Sequence, residues 1–132
     1  MNYATQMDAA RKGIITEEMK AVAEYENRDV EDIRRWVAEG KVAIPANKNH
    51  KCIKATGIGS MLKTKVNVNL GVSKDVSDLD EELKKVQYAV DLGGDAIMDL
   101  STHGDTKIFR RKLTSECPAT VSYTHLTLPT KA

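Results

Sequence analysis

The sequence of 132 residues has few cysteines, few aromatic residues and almost no excess of charge of either sign. Its two cysteines, Cys52 and Cys117, are far apart and belong to no CxxC or Cys/His motif, which excludes a disulfide framework and a zinc finger. The 20 Lys and Arg residues nearly balance the 19 Asp and Glu residues, which argues against nucleic acid or a membrane surface as a partner. We therefore expect two reduced thiols and a small-molecule ligand.

Long apolar runs are also lacking. No window approaches the roughly 18 apolar residues of a membrane span, and the N-terminus has no apolar signal core. Hydrophobic residues nevertheless make up 41% of the chain, which is enough for a modest core in one domain of ordinary size. These features predict a cytoplasmic protein that does not bind a membrane.

The first 62 residues predict helices followed by a loop. Capping residues and glycines delimit a short helix before Gly13, a helix from Thr16 to about Glu26 and a helix from Asp29 to Gly40. The last two form a helical hairpin in which the single Trp36 is expected to be a packing residue.

Residues 46 to 60 have no clear periodicity and predict a long loop, which is typical of a functional or mobile segment. Within it, Gly57-Ile58-Gly59 resembles half of a phosphate-binding fingerprint. The motif follows no strong strand and precedes no helix, so it predicts no phosphate site.

Residues 63 to 101 predict a strand, a helix and a second strand. Val66, Val68 and Leu70 alternate with Asn67 and Asn69, which is the period of a strand with one polar face. The following helix is expected to start at Ser77, with Asp80 in the capping-box position, and to end before Gly93-Gly94. Residues 96–100 form the second apolar run, and this order favours a crossover between parallel strands.

A further helix is expected from Thr106 to Ser115, with Ile108, Phe109 and Leu113 apolar. The basic triplet 110–112 within it is expected to be a solvated face. The strand-helix order is typical of a doubly wound sheet or of a β/α barrel.

Both folds bind ligands where parallel strands end, so polar residues at the two strand ends are candidates for a binding site. Asn69 is suited either to hydrogen bonds with a heterocycle or ribose or to capping a loop. Asp99 is suited to capping the next turn or to acting on a substrate, and Ser101 lies beside it. Met98 has the pattern of a core residue.

From about Thr120 the character of the sequence changes, because residues 121–130 contain no charged residue and are rich in threonine. It resembles translated sequencing-adapter sequence, which implies that residues 120–132 are a non-native tail and that the barrel pattern does not continue there. Tyr123 and His125 are accordingly assigned no chemistry.

Several segments together resemble the N-terminal part of the phosphomethylpyrimidine synthase (ThiC) family. They are residues 7–19 (MDAARKGIITEEM), 44–50 (IPANKNH), 57–59 (GIG), 64–71 (TKVNVNLG) and 96–101 (AIMDLS). The resemblance covers about residues 3–119, in order and at family spacing.

The resemblance implies a radical S-adenosylmethionine lyase of thiamine biosynthesis that converts aminoimidazole ribonucleotide to hydroxymethylpyrimidine phosphate. It implies a homodimer of (β/α)₈ barrels with a [4Fe–4S] cluster and a divalent metal. Asn69 and Met98 match the first two substrate-binding positions of the family, which replaces the core interpretation of Met98. The family's next substrate contact is a tyrosine, and Tyr123 is not expected to take its place.

The family's metal-binding histidines, later substrate-binding segments and cluster cysteines have no match in this chain, and Cys52 and Cys117 correspond to none of them. We therefore predict no catalytic, cofactor or metal residue here. We predict that the chain is an inactive and poorly stable fragment. It is expected to consist of a helical segment and loop (1–62), the first βα units of a truncated TIM-type barrel (63–119) and the tail (120–132).

Two other functions are weighed against this fragment. One is a stand-alone α/β module that binds a nucleotide or acts as a scaffold at the same strand ends. The other is a small complete enzyme with His50 or His103 as its general base.

Overall fold

The computed structural model describes residues 3–47, 49–75 and 78–123. The chain divides into two compact units, the first comprising Met1–Asn49 and Lys54–Lys65 and the second comprising His50–Ile53 and Val66–Ala132. Each unit has its own apolar core. No helix in the described ranges has the length and apolarity needed to cross a membrane.

The first unit is mainly helical, with α1 (Gln6–Arg11), α2 (Glu17–Glu26) and α3 (Val30–Ala38). The predicted caps are confirmed, because the side chain of Thr16 accepts a hydrogen bond from the Met19 amide at 3.2 Å and that of Asp29 accepts one from the Glu31 amide at 2.8 Å. These bonds satisfy amides that have no partner within the helix. Local sequence therefore determines where α2 and α3 begin.

The core of the first unit is formed by the apolar sides of its three helices. Its largest members include Met19, Ile33 and Trp36, which confirms Trp36 as a packing residue. The buried residues are spaced three and four positions apart along α2 and α3, as expected for one face of a helix.

The predicted loop 46–60 is not entirely without regular structure. Strand β1 (Val42–Ala43) pairs antiparallel with β2 (Ile58–Gly59). The loop prediction is therefore wrong for Ile58 and Gly59. Gly59 has φ +150°, and a Cβ there would lie 2.1 Å from the Lys41 carbonyl oxygen. A glycine is therefore needed for the close approach of the two strands.

The second unit contains the three-stranded parallel sheet. Its elements are β3 (Asn67–Leu70), α4 (Leu79–Asp91), β4 (Ala96–Asp99), α5 (Thr106–Glu116) and β5 (Thr120–Tyr123). The strands are ordered β3-β4-β5, with all neighbours parallel. The α/β class and the strand-helix-strand prediction are confirmed, and the described strands form an open sheet, not a closed barrel.

The cap of α4 differs from the prediction. The predicted cap, Ser77, lies outside the described residues, and the cap is Asp78, whose carboxylate accepts hydrogen bonds from the amides of Asp80 at 3.0 Å and Glu81 at 3.1 Å. Serine and aspartate are both strong capping residues, so adjacent candidates compete and sequence alone does not rank them.

One face of the sheet packs against both helices. Val68, Leu70, Ile97 and Val121 join a single apolar cluster with residues of α4 and α5, including Phe109 and Leu113. Two residues that were predicted on apolar faces do not pack in the core, because Val66 and Ile108 are 56% and 58% exposed. Val66 precedes the first residue of β3, and Ile108 lies outside this cluster.

The expectation that the strand pattern stops at Thr120 is wrong for Thr120–Tyr123, which form β5. The register pairs Ala96 with Thr120 and Ile97 with Val121. Threonine, valine and tyrosine all have high strand propensity, so this segment pairs readily with an open strand edge.

Candidate functional site

The parallel register of β3 and β4 places Asn69 directly opposite Met98. Side chains of directly paired residues lie on the same face of a sheet, which here is the face opposite the helix-packed cluster. Asn69 is exposed and Met98 is half-buried. The structure thus brings together an amide and a flexible thioether on neighbouring strands.

A second asparagine contacts the first. Asn67 lies two residues before Asn69 on the same face of β3, and its side-chain nitrogen donates a 3.0 Å hydrogen bond to the Asn69 side-chain oxygen. This bond orients the Asn69 amide and leaves its NH₂ group for a ligand. The alternative interpretation of Asn69 as a loop cap does not fit this arrangement.

Asp99 follows Met98 in β4 and points to the other face, where it is fully buried. One carboxylate oxygen accepts a 2.9 Å hydrogen bond from the Ser101 amide, and the other accepts a 2.7 Å bond from Nε of Arg110. The structure therefore supports the capping interpretation of Asp99, because its side chain holds the turn after β4 and forms an ion pair with Arg110.

The prediction that Arg110 is solvated is therefore wrong, whereas Arg111 and Lys112 are exposed as expected. Arg110 lies one helical turn before Thr114 on α5 and reaches back to the end of β4. A charged triplet gives no indication that one of its members faces a buried carboxylate in a neighbouring strand.

The chain beyond β3 is attached to the chain beyond β4. The buried hydroxyl of Ser101 accepts a 3.1 Å hydrogen bond from the Val72 amide, and the buried Glu82 of α4 accepts a 2.9 Å bond from the Gly71 amide. Gly71 has φ +152°, and a Cβ there would lie 2.5 Å from the Ser101 amide nitrogen. The ends of both strands are therefore closely packed and well anchored.

An open polar depression lies next to these strand ends. It is lined by Ser101, Thr102, His103, Gly104, Thr106 and Arg110. His103 is exposed there, as expected for a residue near the strand ends.

His50 and the two cysteines form a separate cluster. His50 is buried, and its Nε2 lies 2.6 Å from the Cys117 carbonyl oxygen, which also accepts a hydrogen bond from the Cys52 thiol at 3.1 Å. Burial raises the pKa of the Cys117 thiol, because the thiolate is poorly solvated there. These contacts give His50 an anchoring role at the end of α5.

The described residues do not fit a metal or an iron–sulfur cluster. Among them, no group of three or more His, Cys, Asp or Glu side chains is placed to hold a metal ion. A [4Fe–4S] cluster normally takes three or four thiolates. Cys52 and Cys117 are free thiols, and Cys52 donates to backbone carbonyl groups.

Comparison with known proteins identifies the family. Residues 5–128 match the radical SAM ThiC family. The chain is 57% identical over 117 residues to the phosphomethylpyrimidine synthase of Clostridium kluyveri (strain NBRC 12016), covering 89% of this chain and 27% of that protein. It is 54% identical over 121 residues to the phosphomethylpyrimidine synthase of Clostridioides difficile (strain 630), covering 92% of this chain and 28% of that protein.

The chain thus spans slightly more than a quarter of the length of the curated relatives it matches. The match includes both strands that carry Asn69 and Met98 as well as the helical segment before them. From the extent of this match, the chain belongs to the radical SAM ThiC family.

Proposed function

We propose that this chain is the N-terminal part of a phosphomethylpyrimidine synthase and that Asn69 and Met98 bind its substrate, aminoimidazole ribonucleotide. The supporting observation is the β3–β4 register, which sets these two residues side by side on one face of the sheet. Two residues far apart in sequence thereby become a single binding surface.

A barrel is the architecture we propose for the whole protein. The strands follow one another in sequence order, and α4 and α5 join one apolar cluster on the same face of the sheet. A doubly wound sheet distributes its helices over both faces, whereas a β/α barrel keeps them all outside. In a barrel, the face with Asn69 and Met98 points inward, at the end where ligands bind.

The two side chains have complementary roles towards a nucleotide. The exposed Asn69 amide donates and accepts hydrogen bonds, which suits ring nitrogens or ribose hydroxyls, and Asn67 fixes its orientation. Met98 offers an adaptable apolar contact to the face of a heterocycle. Both are binding roles, so the residues that perform the radical chemistry belong to the rest of the proposed enzyme.

That whole enzyme would convert the ribonucleotide to hydroxymethylpyrimidine phosphate for thiamine biosynthesis. We propose that it is a cytoplasmic homodimer that uses a [4Fe–4S] cluster, S-adenosylmethionine and a divalent metal. The cluster supplies the electron that cleaves S-adenosylmethionine.

The binding role can be measured in a full-length hybrid enzyme, in which residues 1–119 of this chain continue into the remaining length of the Clostridium kluyveri relative. We expect Asn69→Ala and Met98→Ala each to weaken ribonucleotide binding about 10-fold, because each removes about one buried contact. Anaerobic titration calorimetry gives the dissociation constants.

The matched control is Gln87→Ala, which changes an exposed residue on α4 that pairs with the exposed Asp91. Its affinity should equal that of the unsubstituted hybrid. Wild-type affinity in both the Asn69 and the Met98 variants would show that the nucleotide binds elsewhere.

A further inference from the structure

We propose that Asp99 and Arg110 are a positioning pair that holds Asn69 and Met98 at the separation the nucleotide requires. This inference rests on the proposed function, because it assumes that the Asn69–Met98 face binds the substrate. Neither Asp99 nor Arg110 needs to touch the nucleotide.

The pair fixes β4 from the side opposite the binding face. Because side chains alternate along a strand, Asp99 points into the protein while its neighbour Met98 points to the binding face. The Asp99 side chain is 0% exposed, and its two oxygens bind Arg110 of α5 and the amide of Ser101. The end of β4 is thus attached both to a helix and to its own following turn.

The same network extends to β3. Ser101, oriented through its amide by Asp99, accepts a hydrogen bond from Val72 through its hydroxyl. Backbone bonds from Leu100 to Leu70 at 2.7 Å and from Thr102 to Val72 at 2.9 Å continue the pairing beyond the strands. The connection from Arg110 through Asp99 and Ser101 to Val72 therefore joins the two strands just beyond the substrate-binding residues.

Charge explains why the pair matters more than an ordinary buried contact. When either partner of a buried ion pair is replaced by a neutral group, the remaining charge is left without compensation, and the segments around it are destabilised. Because Asp99 also holds Ser101, this destabilisation includes the turn that carries the β3 connection. A displacement of about 1 Å at a site can cost up to about 100-fold in activity.

The test uses the same hybrid enzyme with Asp99→Asn. We expect the KM for aminoimidazole ribonucleotide to rise about 10-fold with kcat changed less than about 3-fold, which is the pattern when binding to the substrate and to the transition state is weakened equally.

The double variant Asp99→Asn with Arg110→Gln should recover most of the affinity, since two neutral side chains can hydrogen-bond without an unpaired charge. If Asp99→Asn does not fold, Arg110→Lys keeps the charge, loses the planar fork and should raise KM by a smaller factor.

The control for plain destabilisation is Leu113→Ala, which removes a buried core residue from the same helix but leaves the pair intact. It should lower the melting temperature without raising KM. The inference is overturned if Leu113→Ala raises KM as much as Asp99→Asn does, or if Asp99→Asn and Arg110→Lys both leave KM unchanged. Failure of the unsubstituted hybrid to bind the nucleotide would instead overturn the proposed function and this inference with it.

Discussion

Replacing Glu26 with alanine is expected to lower the free energy of unfolding of the first unit by about 3–5 kcal/mol, the usual cost of breaking a buried ion pair. The Glu26 carboxylate and the Lys65 ammonium group bind each other, and their side chains are 1% and 7% exposed. Glu26 also accepts a 2.8 Å hydrogen bond from the Lys63 amide. Its removal leaves one buried cation and one backbone amide without their partner carboxylate.

Urea unfolding followed by tryptophan fluorescence measures this effect, because the single tryptophan, Trp36, lies in the core of the first unit. Glu24→Ala is the matched control, since Glu24 is exposed on the same helix and its loss should change stability by less than about 0.5 kcal/mol. Replacing the pair together, with Glu26→Leu and Lys65→Met, should restore most of the loss. Equal stability of the Glu26→Ala and Glu24→Ala variants would contradict the buried pair.

The second large effect is on activity. We expect the 132-residue chain to form no hydroxymethylpyrimidine phosphate under reducing, anaerobic conditions, and the full-length hybrid enzyme to form it. Reductive cleavage of S-adenosylmethionine needs a cluster held by three or four thiolates, and the chain contains two cysteines. Product formation from aminoimidazole ribonucleotide is measured by liquid chromatography and mass spectrometry.

Calorimetry on the same two proteins distinguishes a fragment from an independent module. The hybrid should bind the ribonucleotide, whereas the 132-residue chain should bind it weakly and its second unit should melt without a sharp transition, because the three described strands leave open sheet edges. Tight binding and cooperative melting of the 132-residue chain would favour a stand-alone nucleotide-binding module instead.

The features that could be predicted from the sequence are those that local interactions determine. Thr16 and Asp29 cap their helices through amides two or three residues away, so the relevant partners are visible in the sequence itself. The alternation around Asn69 likewise identified a strand with a polar face. The pairing of β3 with β4 followed from the order of the elements.

The features that sequence reasoning missed depend on partners distant along the chain. Arg110 lies in a basic triplet, and only the packing of α5 beside β4 places it against Asp99. Strand β2 is two residues long and exists because Gly59 allows close approach to Lys41. Met98 has the pattern of a core residue, so periodicity alone did not identify it as a binding residue; the family resemblance did, and the strand register places it opposite Asn69.

A crystal structure of the hybrid enzyme with aminoimidazole ribonucleotide bound tests the substrate-binding role of this sheet face most directly. We predict that the Asn69 amide lies about 3 Å from a polar atom of the nucleotide and that Met98 lies about 4 Å from its ring. A nucleotide bound in the hybrid enzyme without contact to either residue would contradict that role.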